Sequence, residues 1–122
     1  ETSDMIMSKN IPFYSMCEHH MVPFFGTADV AYIPRTKVVG ASKLPRLVVK
    51  YSRRLQVQER MTSQIADELW TKVEPHGVYV RTRARHLCQE MRGIERYGEL
   101  VVSACRGAMM WNPFAKQEAL NL

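Results

Sequence analysis

The middle of the chain carries apolar residues at helical spacing. In a first run, the apolar positions that recur every three or four residues are Leu44, Leu47, Val48, Tyr51 and Leu55. In a second run they recur every four residues, at Val57, Met61, Ile65, Leu69 and Val73. Ser42 has the side-chain chemistry of an N-cap for the first run, and Pro75 and Gly77 end the second. The pattern predicts two consecutive helices.

Alternation with a period of two predicts strands on both sides of these helices. Residues 25–33 are rich in β-branched and aromatic side chains and are closed by Pro34, and residues 37–40 (KVVG) predict a second short strand. From Gly77 onward one face carries Val78, Val80, Thr82, Ala84, His86 and Cys88. His86 and Cys88 are therefore expected to project from the same face of one strand.

The remaining pattern completes an α+β fold. A last strand is predicted over residues 99–110, and Asn112 with Pro113 predicts the start of a short C-terminal helix. The predicted order is β-β-α-α-β-β-α, with the two helices packed on one face of an antiparallel sheet. A length of 122 residues with 46% apolar residues predicts a single domain over residues 1–122.

Charge and cysteine content restrict the partners and the compartment. The net charge of +5 predicts an anionic partner, either nucleic acid or a phosphorylated small molecule. The face formed by Arg81, Arg83 and Arg85 could bind nucleic acid, but a solvated or interface role is the expected one. No apolar run is long enough to span a bilayer, so no membrane association is expected. An odd number of cysteines, three, predicts a reducing, cytoplasmic compartment.

The segment CEHH at residues 17–20 is the candidate chemical centre. Cys17 and His20 have C-x-x-H spacing, and Cys88 could supply a third ligand from its strand. Three ligands leave a tetrahedral zinc with one open position, as in catalytic sites, whereas His19 or His86 as a fourth ligand would close a structural site. Buried thiols and ordinary histidines are the remaining alternative.

Three long segments resemble the GTP cyclohydrolase I family in the same order and at similar spacing. They are PFYSMCEHHMVPFFG (12–26), GASKLPRLVVKYSRRLQVQERMTSQIADEL (40–69) and RHLCQEMRGI (85–94). The resemblance implies the tunnelling fold, in which subunits form rings, and a homo-oligomer, a decamer of stacked pentamers. It also implies conversion of GTP and water to 7,8-dihydroneopterin triphosphate and formate, the first step of pterin and folate biosynthesis.

The resemblance assigns the metal and the proton-transfer residues. Cys17, His20 and Cys88 match the zinc (Zn²⁺) ligands, and the metal activates a water molecule for attack on C8 of guanine. His19 matches the catalytic histidine, a general acid, so the two adjacent histidines have different roles. His86 matches a second active-site histidine beside the zinc.

The resemblance also assigns the substrate-binding residues. Glu59 matches the glutamate that reads guanine, and Gln58 lies beside it. The residues that match the triphosphate-binding set are Ser42, Lys43, Arg46 and Arg92, and Ser42 is also implicated in the later sugar rearrangement. A helix N-terminus with cationic side chains is a suitable phosphate site on physical grounds as well.

Some features depart from the family pattern. The family carries an N-terminal helical region with dimer contacts and a phosphate-proximal residue, and this sequence does not contain it. Arg85, Gln89 and Glu90 replace more usual residue types. The alternatives are a relative that stops at a formamidopyrimidine-type product, a regulatory or inactive homologue, and a zinc-stabilised basic nucleic-acid-binding module.

Overall fold

A five-stranded sheet forms the framework of the protein. The computed structural model describes residues 4–87 and 98–122. In chain order the elements are β1 (Ile6–Cys17), β2 (Pro23–Ile33), α1 (Lys43–Ser52), β3 (Leu55–Gln56), α2 (Gln58–Val73), β4 (Gly77–His86), β5 (Leu100–Gly107), α3 (Ala108–Trp111) and α4 (Pro113–Leu120). The predicted α+β class is confirmed.

The strand order is β3-β1-β2-β4-β5, with antiparallel neighbours except for the short parallel pair of β3 and β1. The neighbouring strands β2 and β4 pair without interruption from Phe24 opposite His86 to Ile33 opposite Gly77. A bulge interrupts β1 where Asn10 takes a left-handed conformation with φ 57°. The sheet thus has a regular centre and an irregular first strand.

Helices cover both faces of this sheet. On one face α1 and α2 close the main core, whose members include Val30, Tyr32, Leu47, Val48, Met61, Ile65, Val78 and Val80. The opposite face is covered by the C-terminal segment, in a smaller cluster that includes Ala31, Ile33, Tyr79, Met109, Ala115 and Ala119. The two predicted helices on one face are therefore confirmed, and α3 and α4 contribute to the cluster on the other face. No helix in the described residues is long and apolar enough to cross a membrane.

Several predicted boundaries need correction. Residues 37–40 do not form a strand: Val38 is 68% exposed, and the N–H of Val39 donates to the Tyr32 hydroxyl at 3.1 Å. The first strand of the sheet is β1 instead. The last strand ends at Gly107, whose φ of 63° turns the chain into α3. Leu55 belongs to β3 and is 48% exposed, so it does not continue the apolar face of α1.

The predicted C-terminal helix is confirmed together with its capping residue. The Asn112 side-chain oxygen accepts hydrogen bonds from the N–H groups of Phe114 and Ala115 at 3.0 and 3.3 Å. Pro113 follows at the first helical position, where its missing N–H costs nothing. Local sequence chemistry therefore sets this helix start.

A buried carboxylate organises the arginine-rich face of β4. Asp29 has no exposed surface and accepts hydrogen bonds from Arg81 at 2.7 and 3.1 Å, from Arg83 at 3.2 Å and from the N–H of Asn10 at 2.9 Å. Burial alone would raise the pKa of Asp29, but these four donors hold it below its usual range. Two arginines of the face predicted as solvated, interface or nucleic-acid-binding are thus engaged within the sheet.

We expect Asp29→Asn to cost about 3 kcal/mol of unfolding free energy at pH 7, because it leaves two partly buried arginines without the buried counter-charge that they share. Since the folded-state pKa of Asp29 is lowered, its contribution is complete above the unfolded value of about 3.9 and is lost as pH falls through the folded value. The difference between the two proteins in urea unfolding should therefore shrink in acid. Asp67→Asn, at a 60% exposed carboxylate paired with Arg106, is the matched control and should cost less than about 1 kcal/mol. Equal effects of the two substitutions would contradict this role of Asp29.

Candidate active site

The CEHH segment forms a tight turn between β1 and β2. The N–H of Cys17 donates to the Val22 carbonyl at 2.9 Å, and the N–H of Met21 donates back to the Cys17 carbonyl at 2.8 Å. Met21 takes a left-handed conformation, with φ 56°. The N–H of Glu18 donates to the Gln56 carbonyl at 3.0 Å, which ties the turn to β3. The turn is therefore held by backbone bonds on both sides.

This turn places Cys17 Sγ 3.9 Å from His20 Nδ1. Typical zinc–sulfur and zinc–nitrogen bonds at a tetrahedral angle would separate two such atoms by about 3.5 Å. The pair thus fits two ligands of one ion after a small adjustment. The centroid of the His19 ring lies 6.4 Å from that of His20. The interplanar angle is 74°, so the planes of the two imidazoles are nearly perpendicular.

Two predicted site residues, Cys88 and Arg92, lie outside the described residues. Within residues 4–87 and 98–122, no three His, Cys, Asp or Glu side chains converge in a way that could hold a metal ion. The described structure therefore brings together two of the three predicted zinc ligands.

His86 closes the site from the end of β4. Its ring stacks on Phe24 with centroids 4.7 Å apart and an interplanar angle of 4°. Its Nε2 lies 2.7 Å from Gln58 Oε1. Burial lowers the pKa of His86, while the nearby charge of Glu59 opposes the shift. The imidazole is thus held in one plane and favoured in its neutral form.

The start of α2 joins the turn to His86. The first two residues of α2 differ in exposure, since the Gln58 side chain is buried and Glu59 faces solvent. Arg60 pairs with Glu18 of the turn, and its hydrogen bond lowers the pKa of that carboxyl group. Glu18 is therefore engaged in holding the turn against α2. The start of α2 thus contacts the turn through Arg60 and His86 through Gln58.

The predicted triphosphate residues lie elsewhere. Lys43 and Arg46 line a cavity of about 480 Å³ between α1 and α2, together with Lys50, Glu68 and Lys72. This cavity is not lined by Cys17, His20, Gln58 or His86. The cavity runs along α1 from Lys43 in its first turn to Lys50 in its last turn, and the chain after α1 leads to β3 beside Cys17. One chain therefore carries two separate groups of predicted site residues.

Ser42 occupies the predicted N-cap position but does not cap α1. Its backbone is already helical, with φ −74° and ψ −13°, and its side chain makes no capping hydrogen bond. An N-cap side chain normally needs an extended backbone to reach the first N–H groups. The predicted capping role is therefore wrong, and the hydroxyl stays available for another partner.

Sequence reasoning missed the buried threonines that form a hydrogen-bond network with Gln58, the partner of His86. Thr62 and Thr82 are fully buried and hydrogen-bonded to Gln58 or to each other. Thr82 lies on the predicted strand face that also carries His86, and this shared face was the available signal. A polar residue in the middle of an apolar strand face marks a buried partner.

The solved structures with similar backbones define the fold class. An archaeosine synthase QueF-Like structure matches with a TM-score of 0.67 at 21% identity, covering 88% of this chain and 97% of that one. A dihydroneopterin aldolase from E. coli, solved in complex with neopterin, matches with a TM-score of 0.63 at 11% identity, covering 85% and 99%. The protein thus has the tunnelling fold.

Sequence comparison gives the family. The family profile described as GTP cyclohydrolase I matches residues 1–122. The proteins named GTP cyclohydrolase 1 from Hyperthermus butylicus and Geobacillus kaustophilus are 50% and 51% identical, each over 100% of this chain. That from Campylobacter jejuni strain RM1221 is 50% identical over 98% of it. The chain belongs to the GTP cyclohydrolase I family, and it spans 63%, 66% and 64% of the lengths of these relatives, in the same order.

Proposed function

We propose that this chain is a single GTP cyclohydrolase I catalytic domain that converts GTP and water to 7,8-dihydroneopterin triphosphate and formate. The observation that carries the proposal is the 3.9 Å approach of Cys17 Sγ to His20 Nδ1, with the charge of Glu59 acting on His86, in a member of this family. Its place would be the first step of pterin and folate synthesis, in the cytoplasm, consistent with its odd number of cysteines.

The metal proposed for this site is zinc, held by Cys17, His20 and Cys88. The 3.9 Å between Cys17 Sγ and His20 Nδ1 supports the first two ligands, and thiolate with imidazole is a donor set that zinc prefers. When bound, zinc would supply a Lewis acid that makes water nucleophilic at neutral pH. Cys105, which packs against the C-terminal cluster, has no part in this site.

The protein's own residues would bind guanine and move protons. Glu59 faces solvent at the site and can accept hydrogen bonds from N1–H and the exocyclic amine of guanine, with Gln58 beneath it. His19, whose ring plane is nearly perpendicular to that of His20, would protonate the imidazole part of the base as it opens. His86, neutral through burial, would exchange a proton beside the metal.

The triphosphate would bind Ser42, Lys43, Arg46 and Arg92. Lys43 and Arg46 line the cationic cavity at the start of α1, and the Ser42 hydroxyl is not used in capping. Within one chain this cavity is not lined by Cys17, His20, Gln58 or His86. We therefore place each complete site between copies, in a homo-oligomer that we propose to be a decamer of stacked pentamers.

The sheet edges support assembly of this kind. β3 covers only Met16 and Cys17 of β1, and β5 lies at the other edge of the sheet. Long exposed edges are an aggregation hazard, and closing a ring of copies removes them. Ring closure is thus a physical solution for this sheet as well as a way to complete the site.

Incubation of the zinc-loaded protein with GTP tests the activity directly. We expect a product that becomes a fluorescent pterin after oxidation, with one formate released for each GTP consumed. Cys88→Ser should lose both zinc and activity, because a ligand is removed, and Cys105→Ser should keep both. Formate without a pterin would indicate the ring-opening relative instead, and no consumption of GTP would reject the proposed activity.

His19 and His20 should fail differently when each is replaced by alanine. His20→Ala should lower the zinc content measured by elemental analysis, because it removes a ligand. His19→Ala should keep zinc and nearly normal KM but lose about 10²-fold or more in kcat, the usual scale for a positioned acid. Loss of zinc in His19→Ala with retention in His20→Ala would reverse the assignment.

A shared site predicts complementation between two inactive variants. His20→Ala damages the metal half and Lys43→Ala the cationic half, so mixed oligomers contain some sites with both halves intact. Random mixing after dissociation should restore about one quarter of wild-type activity if two neighbouring copies form each site. No recovery in confirmed mixed oligomers, or a monomer in sedimentation, would contradict a site between copies.

A further inference from the structure

A buried polar network lies directly beneath His86. Gln58 is 1% exposed, and Thr62 and Thr82 are 0% exposed. Buried polar side chains are costly unless each donor meets an acceptor, so their hydrogen-bond directions can be worked out from geometry. These directions determine what His86 must do with its own nitrogen atoms.

The Gln58 amide has only one orientation that satisfies its neighbours. Its Nε2 lies 3.0 Å from the Leu100 carbonyl, 3.3 Å from the Thr82 carbonyl and 3.0 Å from Thr82 Oγ1. Backbone carbonyls can only accept, so the NH₂ group must face them. The amide oxygen therefore faces His86.

The two threonines give the network the same direction. The Thr62 hydroxyl donates its single proton to the backbone carbonyl of Gln58 at 2.8 Å. The 2.8 Å contact between Thr62 and Thr82 is then a bond donated by the Thr82 hydroxyl. In this arrangement Thr82 Oγ1 keeps a lone pair for the Gln58 amide, and the two backbone carbonyls alone already require the amide oxygen to face His86.

This direction fixes the tautomer of His86. A neutral imidazole has one N–H and one bare nitrogen, and an amide oxygen can only accept. The 2.7 Å contact with Gln58 Oε1 therefore requires the proton on His86 Nε2. The parallel Phe24 ring, 4.7 Å away, keeps the imidazole in the plane of this bond.

We propose that Gln58 is a positioning residue whose amide oxygen holds His86 by its Nε2–H, so that the sheet sets the orientation and tautomer of the ring and Nδ1 is the nitrogen left for the site. This inference rests on the proposed function for its kinetic consequence. It gives the Gln58 side chain a role through His86 in place of a contact with guanine, because its amide hydrogens are committed to Thr82 and Leu100. Reading of the base is then left to Glu59.

Nitrogen-15 NMR of histidine-labelled, zinc-loaded protein tests the tautomer without any turnover. The chain has four histidines, so the His86 signals can be assigned by their loss in His86→Phe. The wild-type protein should show a protonated, exchange-protected Nε2 and a bare Nδ1. Gln58→Met, which removes the acceptor, should lose the protection of that proton, and a wild-type ring protonated at Nδ1 would overturn the proposal.

Kinetics separate positioning from substrate contact. Gln58→Met should lower kcat by about 10-fold to 100-fold with KM within about threefold, because a misdirected imidazole affects proton transfer more than binding. Gln64→Met is the matched control on the same helix, where the side chain meets Gln56 instead, and it should retain the wild-type values. A raised KM with unchanged kcat would make Gln58 a substrate contact and overturn the proposal.

Changes at Thr82 keep the test decisive if Gln58→Met folds poorly. Thr82→Val removes the hydroxyl acceptor at nearly constant volume and should weaken both the Nε2–H protection and kcat. Thr82→Ser keeps the hydroxyl and should recover both relative to Thr82→Val, which a packing role alone would not produce. If the wild-type protein did not convert GTP at all, the proposed function would fail while the NMR result would still decide the tautomer.

Discussion

The register between β2 and β4 is the constraint on which the rest of the structure depends. It sets Phe24 opposite His86 at one end of the pair and Asp29 opposite Arg81 in the middle. A slip of one residue would move every side chain of a strand to the other face. Gly26 opposes Ala84 where the backbones are so close that a Cβ would lie 1.8 Å from the Arg83 carbonyl oxygen. The same pairing thus positions a site residue and a buried ion pair.

Elements with a strong burial period could be predicted from the sequence. The four-residue repeat from Met61 to Val73 and the two-residue alternation from Gly77 both match buried faces. β1 was missed because its alternation breaks at the Asn10 bulge, which depends on a hydrogen bond to Asp29, nineteen residues away. Residues 37–40 have strand-like composition but no partner strand. Whether such a segment forms a strand depends on a partner strand more than on its composition.

Some features of the candidate site depend on residues close together in the sequence, and others depend on residues far apart. The spacing of Cys17 and His20 is local, and the tight turn places the two side chains 3.9 Å apart. The pairing of Arg60 with Glu18, by contrast, joins residues 42 positions apart, and that between Gln58 and His86 joins residues 28 apart. Family resemblance places Gln58 at the site, but only packing shows that its side chain is buried and committed to the sheet. Roles that act through another residue are therefore visible only in the structure.

The helix layer links the two groups of candidate site residues within one chain. Glu68 of α2 accepts hydrogen bonds from Lys50 and from the Tyr51 hydroxyl of α1, each at 2.6 Å. Burial alone would raise the pKa of Glu68, but these two bonds hold it below its usual range, so the carboxylate stays charged between the helices. The cationic cavity is thus fixed relative to α1. The chain after α1 continues into β3, which pairs with β1 beside the CEHH turn. Under the proposed function, the distance between the two halves of a complete site is then set by the contact between copies. Assembly would therefore control catalysis by aligning the two halves of each site, with no change in the fold of the individual chain.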